Sequence, residues 1–257
     1  MSAIILKTPE EIKQMRAAGQ AVAEILKVLE DAVKPGISTG ELNALAEAEA
    51  QARGGIALFK NYPNAKRGGQ PFPGAICASI NEEVVHGIPG DRQLKAGEII
   101  SIDFGLLVNG FCGDAAITVP VGKVSPEAER LLRCTEQALM RGIAQARVGQ
   151  RLGAVGHAVQ SYAEKHGYSV VREFVGHGIG RDMHEAPPVP NYGRPDRGPV
   201  LKPGMTIAIE PMVNMGDYAV YTKPDDWTVV TRDGSLSAHF EHTVAITEHG
   251  PVILTAR

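Results

Sequence analysis

The sequence predicts an α+β protein in which helices cover a curved antiparallel sheet made of two similar halves. Three observations support this prediction: helices with recognisable caps, strands of alternating polarity, and sequence similarity between the two halves. We expect a single domain over residues 1–257, with halves at about 8–122 and 123–250. A chain of 257 residues with 44% hydrophobic and 21% charged residues can bury a substantial core.

Composition argues against several classes of protein. The formal net charge of -3 argues against a general nucleic-acid binder, which would carry a basic surface. No apolar run approaches the ~20 residues of a membrane span, and the first residues do not resemble a signal peptide. The isolated cysteines Cys77, Cys112 and Cys134 are typical of a reducing compartment and exclude a cysteine-based zinc site. We therefore expect a cytoplasmic protein with no membrane and no specific nucleic acid as partner.

Four helices are predicted from caps and apolar periodicity. Capping boxes, in which a Ser or Thr precedes a Glu by three residues, begin the first two helices at Thr8 and Ser38. The third helix begins at Ser125, before Pro126 in the first turn, and the fourth runs from about residue 152 to 166. Each half therefore starts with two helices.

Residues 94–114 predict a hairpin that carries two aspartates. Apolar and polar residues alternate along its first arm, and Asn109-Gly110 suits a two-residue turn because both residues accept positive φ. In that register Asp103 faces Ala116, and Asp114 is a diagonal neighbour of Asp103 on the same face. A slip of one residue would separate the two carboxylates.

The remaining strand predictions depend on shorter signals. We expect strands at 75–80, 169–176 and 242–255, and a hairpin-like region around 228–234. The proline-rich residues 186–203 predict a loop.

The two halves contain similar sequence segments. LKAGEIISID at 94–103 is matched by LKPGMTIAIE at 201–210, so that Glu210 takes the place of Asp103. The tripeptide HGI occurs at 86–88 and again at 177–179. We expect the two halves to close over one central cleft.

The strand-like segments together carry four carboxylates and one imidazole, at Asp103, Asp114, His177, Glu210 and Glu241. Carboxylates that converge on one sheet face repel each other and raise each other's pKa unless a cation neutralises them. Two divalent ions would balance four carboxylates. Oxygen ligands with one imidazole suit Mn, Fe(II), Co or Zn, and the residues alone do not choose among these metals.

Four segments of the chain stand out: IDFG…NGFCGD, GHGIGRDMHE, LKPGMTIAIEPMV and SLSAHFEHTVAIT. They resemble the signatures of type I methionine aminopeptidase, the pita-bread metallohydrolase family. The resemblance covers nearly the whole chain. It implies a cytoplasmic, monomeric enzyme that removes the initiator methionine from nascent polypeptides when the second residue is small. It leaves open whether the chain docks on the ribosome.

The resemblance also implies roles for the five ligands. Asp103 would bind one metal ion, His177 and Glu210 would bind the other, and Asp114 and Glu241 would bridge both. A hydroxide held between the two ions would be the nucleophile.

Three residues acquire catalytic roles from the resemblance. Glu210 would also move a proton towards the leaving amine. His184 would contact the scissile carbonyl and stabilise the oxyanion, and His86 would lie near the substrate amide nitrogen. The alternative for either histidine is a structural role.

The expected walls of the methionine pocket are Cys77, Trp227 and Phe72. Two features depart from the family pattern. Met183 occupies a place that is usually aromatic, and the loop at 62–73 is longer than usual. The sequence therefore leaves open whether Tyr62 or Phe72 lines the pocket.

Two other functions remain as alternatives. One is an Xaa-Pro aminopeptidase on the same fold, although such proteins usually carry an additional N-terminal domain. The other is a non-catalytic peptide-binding module, which would have no need for all five ligands.

Overall fold

The computed structural model describes residues 3–256 and confirms the predicted α+β fold. The helices are α1 Pro9–Ala32, α2 Thr39–Ala52, α3 Pro126–Gln145 and α4 Gly153–Lys165. The strands of the first half are β1 Ile56–Ala57, β2 Cys77–Ile80, β3 Glu83–Val85, β4 Ile99–Val108 and β5 Phe111–Pro120. Those of the second half are β6 Ser169–Val170, β7 Gly176–Gly178, β8 Glu185–Val189, β9 Thr206–Ile209, β10 Met212–Asn214, β11 Val220–Thr222, β12 Val229–Thr231, β13 Ser237–His239, β14 Glu241–Thr247 and β15 Gly250–Ile253.

The first three helices begin at the predicted caps. The side chains of Thr8 and Ser38 accept hydrogen bonds from Glu11 and Glu41, and both capping boxes are complete. Ser125 caps α3 through the backbone N–H of Ala128. Each cap satisfies a backbone donor that has no partner within the helix.

One antiparallel sheet joins the two halves. Its main path runs β1-β4-β5-β14-β9-β7-β8, with β2 beside β4 and β15 beside β14. The halves meet where β5 pairs with β14, with Ala116 opposite Glu241. Two smaller sheets, β13-β10-β6 and β11-β12-β3, flank it.

Helices cover each half of the main sheet with a separate apolar core. In the first core, Val22 and Leu29 of α1 and Leu42 of α2 pack with the buried side chains of β4 and β5. The second core packs Leu139 and Val155, from α3 and α4, with the buried side chains of β9 and β14. Burial of these apolar faces is what holds the helices to the sheet.

The predicted hairpin is confirmed in detail. β4 and β5 pair with Asp103 opposite Ala116 and Gly105 opposite Asp114. Asn109 and Gly110 both have positive φ, at 51° and 79°, as a two-residue turn of this kind requires.

Two predictions between residues 169 and 203 were wrong. The continuous strand at 169–176 is instead two short strands, β6 and β7, in different sheets, because the polar Arg172-Glu173 stretch between them is exposed. The proline-rich loop begins with strand β8, which contains Pro187 and Pro188. The prolines are tolerated because β8 lies at the edge of the main sheet.

Two further predictions need correction. The hairpin expected around 228–234 lies earlier, because β12 pairs with β11 and not with β13. The last stretch, 242–255, is not one strand. It turns back at residues 248–249, so that β14 and β15 form a hairpin that closes at Gly250, where φ is 115°.

Candidate metal centre

Neighbouring strands place the predicted ligands in one row. Asp103 on β4 faces Cys77 on β2 and Ala116 on β5, and Ala116 faces Glu241 on β14. Residues opposite each other in a sheet point to the same face. The small Ala116 leaves room between the two carboxylates, and extending the β14–β9 register by one residue brings Glu210 opposite Glu241.

Asp114 on β5 is the diagonal neighbour of Asp103 and lies on the same face of the sheet. Gly105 lies opposite it, and a Cβ at Gly105 would be 3.3 Å from Asp114 Oδ1, so a larger side chain there would crowd the carboxylate. His177 Nε2 lies 3.9 Å from Asp114 Oδ2 and 3.6 Å from Glu210 Oε1. Ligand atoms of Asp114, His177 and Glu241 all lie within 4.8 Å of one another.

Three oxygens of the cluster have no hydrogen-bond partner among residues 3–256, although each is buried: Asp103 Oδ1, Asp114 Oδ1 and Glu241 Oε1. Buried polar atoms of folded proteins ordinarily have partners. A divalent cation would supply the missing one, and hard oxygen donors with one imidazole fit such an ion.

The pKa values of the carboxylates also indicate that the cluster lacks a cation. Burial, followed by repulsion from other carboxylates of the cluster, raises the pKa values of Asp103, Glu210 and Glu241 well above their ordinary range. Burial raises the pKa of Asp114 to about 7. A bound cation would reverse these shifts, because it stabilises the ionised carboxylates.

His177 presents the nitrogen that a metal ligand needs. Its Nδ1 lies 2.9 Å from the carbonyl oxygen of Gly178, which can only accept a hydrogen bond. Nδ1 therefore carries the hydrogen, and Nε2 keeps a lone pair directed to the carboxylates. Burial lowers the pKa of His177 to about 4, so the ring is neutral at pH 7.

A cavity of about 290 Å³ opens above the cluster. The residues that line it include the predicted site residues Phe72, Cys77, His86, Asp103, Asp114, His177, Met183, His184, Glu210, Trp227 and Glu241. Phe59, Tyr62, Pro63 and Ala65 complete the lining. The residues chosen from sequence are therefore brought together in one cavity.

Tyr62 and Phe72 both line the cavity, which answers the question that the long loop left open. The backbone N–H of Phe72 donates to the carbonyl of Tyr62 at 2.9 Å, and that of Asn61 donates to the carbonyl of Phe72 at 2.8 Å. This pairing closes the base of the loop, and the residues between Tyr62 and Phe72 lie beyond it. The indole N–H of Trp227 donates to the carbonyl of Gln70 at 2.9 Å and holds the returning arm of the loop.

The two predicted catalytic histidines both line the cavity and have different aromatic neighbours. His86 has a positive φ of 59°, and its ring meets Phe174 and Trp227 edge to face. Burial lowers the pKa of His86 to about 4 and also lowers that of His184. His184 Nδ1 lies 2.8 Å from the hydroxyl of Tyr62.

Sequence reasoning missed three polar neighbours of the cluster. His239 Nε2 lies 3.8 Å from Glu210 Oε2, and the hydroxyl of Thr243 bonds both the N–H and the carbonyl of Asp114. The side-chain amide of Asn191 donates to the carbonyl of Glu210. His239 and Thr243 are spaced by two from Glu241, a signal that could have found them, whereas nothing local identifies Asn191.

A larger open groove of about 840 Å³ lies beyond the cavity, between the N-terminal residues and the 185–199 segment. Among the predicted site residues, only His184 lines it. The predicted site residues therefore converge in the smaller cavity.

Four carboxylates and one imidazole at the floor of an apolar cavity form a candidate metal centre of the kind that hydrolases use. A family model described as metallopeptidase family M24 matches residues 13–248. The chain belongs to this family, as its motifs predicted.

Named relatives agree over nearly the whole chain. Methionine aminopeptidase 1 of Bacillus subtilis is 53% identical over 252 residues, which cover 98% of this chain and 99% of the relative. Methionine aminopeptidase of Clostridium acetobutylicum is 53% identical over 253 residues, or 98% of each chain. The crystal structure of methionine aminopeptidase from Rickettsia prowazekii matches with a TM-score of 0.94 at 45% identity, over 99% of this chain and 100% of that one.

A more distant structure shows the fold alone. The prolidase from Pyrococcus furiosus matches with a TM-score of 0.77 at 22% identity, and the match covers 98% of this chain but 66% of the prolidase.

Proposed function

We propose that this chain is a metal-dependent aminopeptidase that removes the initiator methionine from nascent proteins whose second residue is small. The observation that carries the proposal is a cavity of about 290 Å³ whose floor is a carboxylate cluster and whose walls are mostly apolar and sulfur-containing. Such a cavity can hold one unbranched apolar side chain beside a reactive centre. The relatives that match nearly the whole chain bear the name of this activity.

The walls suit a thioether. Phe72 and Trp227 meet edge to face, with ring centroids 5.2 Å apart, and Met183 supplies a flexible third wall. Sulfur contacts aromatic rings favourably, and methionine adapts to an irregular surface. Cys77 remains a neutral thiol at pH 7 because burial and the nearby carboxylates raise its pKa.

Two divalent ions would be held by the carboxylates and the imidazole at the cavity floor, at Asp103, Asp114, His177, Glu210 and Glu241. When bound, these ions supply an activated water and polarise the substrate carbonyl. Mn, Fe(II), Co and Zn all fit the donor set.

The remaining steps belong to side chains of the chain. Glu210, with one oxygen 3.6 Å from His177 and the other 3.8 Å from His239, takes a proton from the attacking water and delivers it to the leaving amine. His184 donates a hydrogen bond to the carbonyl oxygen as negative charge develops there. His86, which also lines the cavity, contacts the amide nitrogen of the scissile bond.

We further propose that the chain acts as one domain, with pseudo-repeat halves at about 8–122 and 123–250, and as a cytoplasmic monomer. Pairing of β5 with β14 across the halves supports a single domain, since the cavity takes ligands from both sides of it. The described helices include none long and apolar enough to cross a membrane. Docking on the ribosome is a further prediction, and its test is cosedimentation with ribosomes.

The other two functions are less well supported. The Xaa-Pro enzymes that share the fold are longer chains of low identity to this one. For a peptide-binding module, convergence of all five metal-ligand candidates on one cavity would have no purpose.

A peptide panel tests the proposal. We expect Met-Ala-Ser to be cleaved with added Mn or Co, chelators to stop cleavage, and His177→Ala to abolish it. The matched control is His249→Ala, since His249 is exposed at the turn between β14 and β15. Cleavage of Xaa-Pro peptides instead would overturn the specificity, and metal-replete inactivity on every peptide would favour the binding module.

A further inference from the structure

Tyr62 and His184 form a direct contact at the mouth of the cavity. The hydroxyl oxygen of Tyr62 lies 2.8 Å from His184 Nδ1, and the ring centroids are 5.5 Å apart in an edge-to-face arrangement. Both rings line the cavity that contains the carboxylate cluster. The contact therefore joins a residue of the long loop to a candidate catalytic histidine.

Three backbone hydrogen bonds fix the chain at Asn61 and Tyr62. Its N–H donates to the carbonyl of Phe59 at 2.9 Å, and its carbonyl accepts from the N–H of Phe72 at 2.9 Å. The adjacent N–H of Asn61 donates to Phe72 at 2.8 Å. The hydroxyl is therefore held against His184 by the base of the loop.

A neutral histidine carries one ring hydrogen, so the partner of one nitrogen decides the state of the other. At His177 the partner of Nδ1 is the Gly178 carbonyl, which puts the hydrogen on Nδ1. At His184 the partner is a hydroxyl, which is able to donate. Within the described part of the chain, this hydroxyl makes no other hydrogen bond, and burial raises its pKa, so it keeps its hydrogen at neutral pH.

We propose that Tyr62 is a positioning residue that donates its hydroxyl hydrogen to His184 Nδ1 and thereby keeps the ring hydrogen of His184 on Nε2. The two adjacent histidines, whose ring centroids are 4.2 Å apart, are thus held in opposite tautomers. His177 Nε2 offers a lone pair to a cation, whereas His184 Nε2 offers a hydrogen to an oxyanion. The inference deepens the proposed function, on which it rests.

Two measurements on Tyr62→Phe test this assignment. The first is the tautomer of His184, read from long-range proton–nitrogen correlations of protein labelled with ¹⁵N-histidine, both metal-free and loaded with diamagnetic Zn²⁺. The signals are assigned by comparison with His184→Gln. The second is the separation of kcat from KM on Met-Ala-Ser with added Mn.

We expect the wild-type His184 to carry its hydrogen on Nε2, and Tyr62→Phe to increase the population with the hydrogen on Nδ1. The same variant should lower kcat about fivefold to tenfold, the effect of one hydrogen bond, and change KM by less than about twofold. Tyr192→Phe is the matched control, because its hydroxyl bonds the carbonyl of Arg172 outside the cavity. It should change neither measurement.

A hydrogen on Nδ1 in the wild type would overturn the proposal, and so would an unchanged tautomer in Tyr62→Phe. A loss of kcat with an unchanged tautomer would also overturn it, since the effect would then be one of packing. The tautomer is measured without substrate, so failure to cleave Met-Ala-Ser would count against the proposed function and not against this assignment.

Discussion

The amino group of Lys7 pairs with the carboxylate of Glu185, and only 3% and 5% of the two side chains is exposed. The second oxygen of Glu185 accepts from the backbone N–H groups of Arg181 and Asp182, at 3.0 and 3.4 Å. The turn closed in this way carries His184. The segment before α1 therefore anchors one wall of the cavity.

Lys7→Met should destabilise the protein by about 3–5 kcal/mol, because it leaves the buried Glu185 carboxylate without its cation. Urea unfolding measures the loss. Lys27→Met is the matched control, since the pair of Lys27 with Asp31 is exposed and is worth about 1 kcal/mol or less. Adding Glu185→Gln to Lys7→Met should recover part of the loss. Equal losses in the two lysine variants would show that burial of the Lys7 pair is unimportant.

Glu210→Gln should lower kcat by about 10²- to 10⁴-fold, because an amide can neither accept nor deliver the proton. The measurement is steady-state cleavage of Met-Ala-Ser at saturating metal. Metal binding, measured by calorimetry, separates loss of a ligand from loss of the base. Glu248→Gln removes an exposed carboxylate and should leave kcat unchanged. Full activity in Glu210→Gln would contradict the assigned role.

The carboxylate cluster should contribute less to the stability of the metal-free protein as pH rises. The folded-state pKa of Asp114 is about 7, against an ordinary value of 3.8, so the folded protein binds the proton more tightly than the unfolded chain does. The stability that this group contributes is complete below about pH 4 and is lost between about pH 4 and 7. Asp103, Glu210 and Glu241 have raised pKa values and act in the same direction. His86, His177, His239 and His242 act in the opposite direction, because burial lowers their pKa values, so the comparison with Asp114→Asn isolates the contribution of the carboxylate.

Added Zn²⁺ should therefore raise the melting temperature more at pH 7.5 than at pH 5, because protons compete with the ion at low pH. A difference of several degrees is expected, since 1 kcal/mol is worth about 2–4 °C in a chain of this size. Thermal unfolding with and without chelator measures it. Asp114→Asn should reduce the difference between the Zn²⁺-induced rises in melting temperature at the two pH values. An equal rise at pH 5 and pH 7.5 in the unmodified protein would show that protons and the metal ion do not compete.

Trp227→Phe should raise KM for Met-Ala-Ser about threefold to tenfold and leave kcat within about twofold. The substitution keeps an aromatic wall but removes the hydrogen bond to Gln70 that holds the long loop against the cavity. Tyr221→Phe is the control, because Tyr221 is exposed and does not line the cavity. A change in kcat alone would place the role of Trp227 in the chemical step and not in binding.

Features whose cause is local could be predicted from sequence. The caps at Thr8, Ser38 and Ser125 and the hairpin turn at Asn109-Gly110 need only neighbouring residues to form. Strand β8 could not be predicted, because its prolines are acceptable only at a sheet edge, and position within a sheet is not a local property. The break between β14 and β15 was missed because the turn residues lie between two apolar runs that resemble one strand.

By itself, the sequence determined which carboxylates and which imidazole are available, and the hairpin register that puts Asp103 and Asp114 on one face. The tertiary structure decided what surrounds them. Pairing of β5 with β14 brought Glu241 into the row of Asp103, and closure of the loop base put Tyr62 against His184, 122 residues away in the chain. The physical reason is that pairing within a hairpin follows from local patterning, whereas contacts across the cavity depend on how separate halves pack.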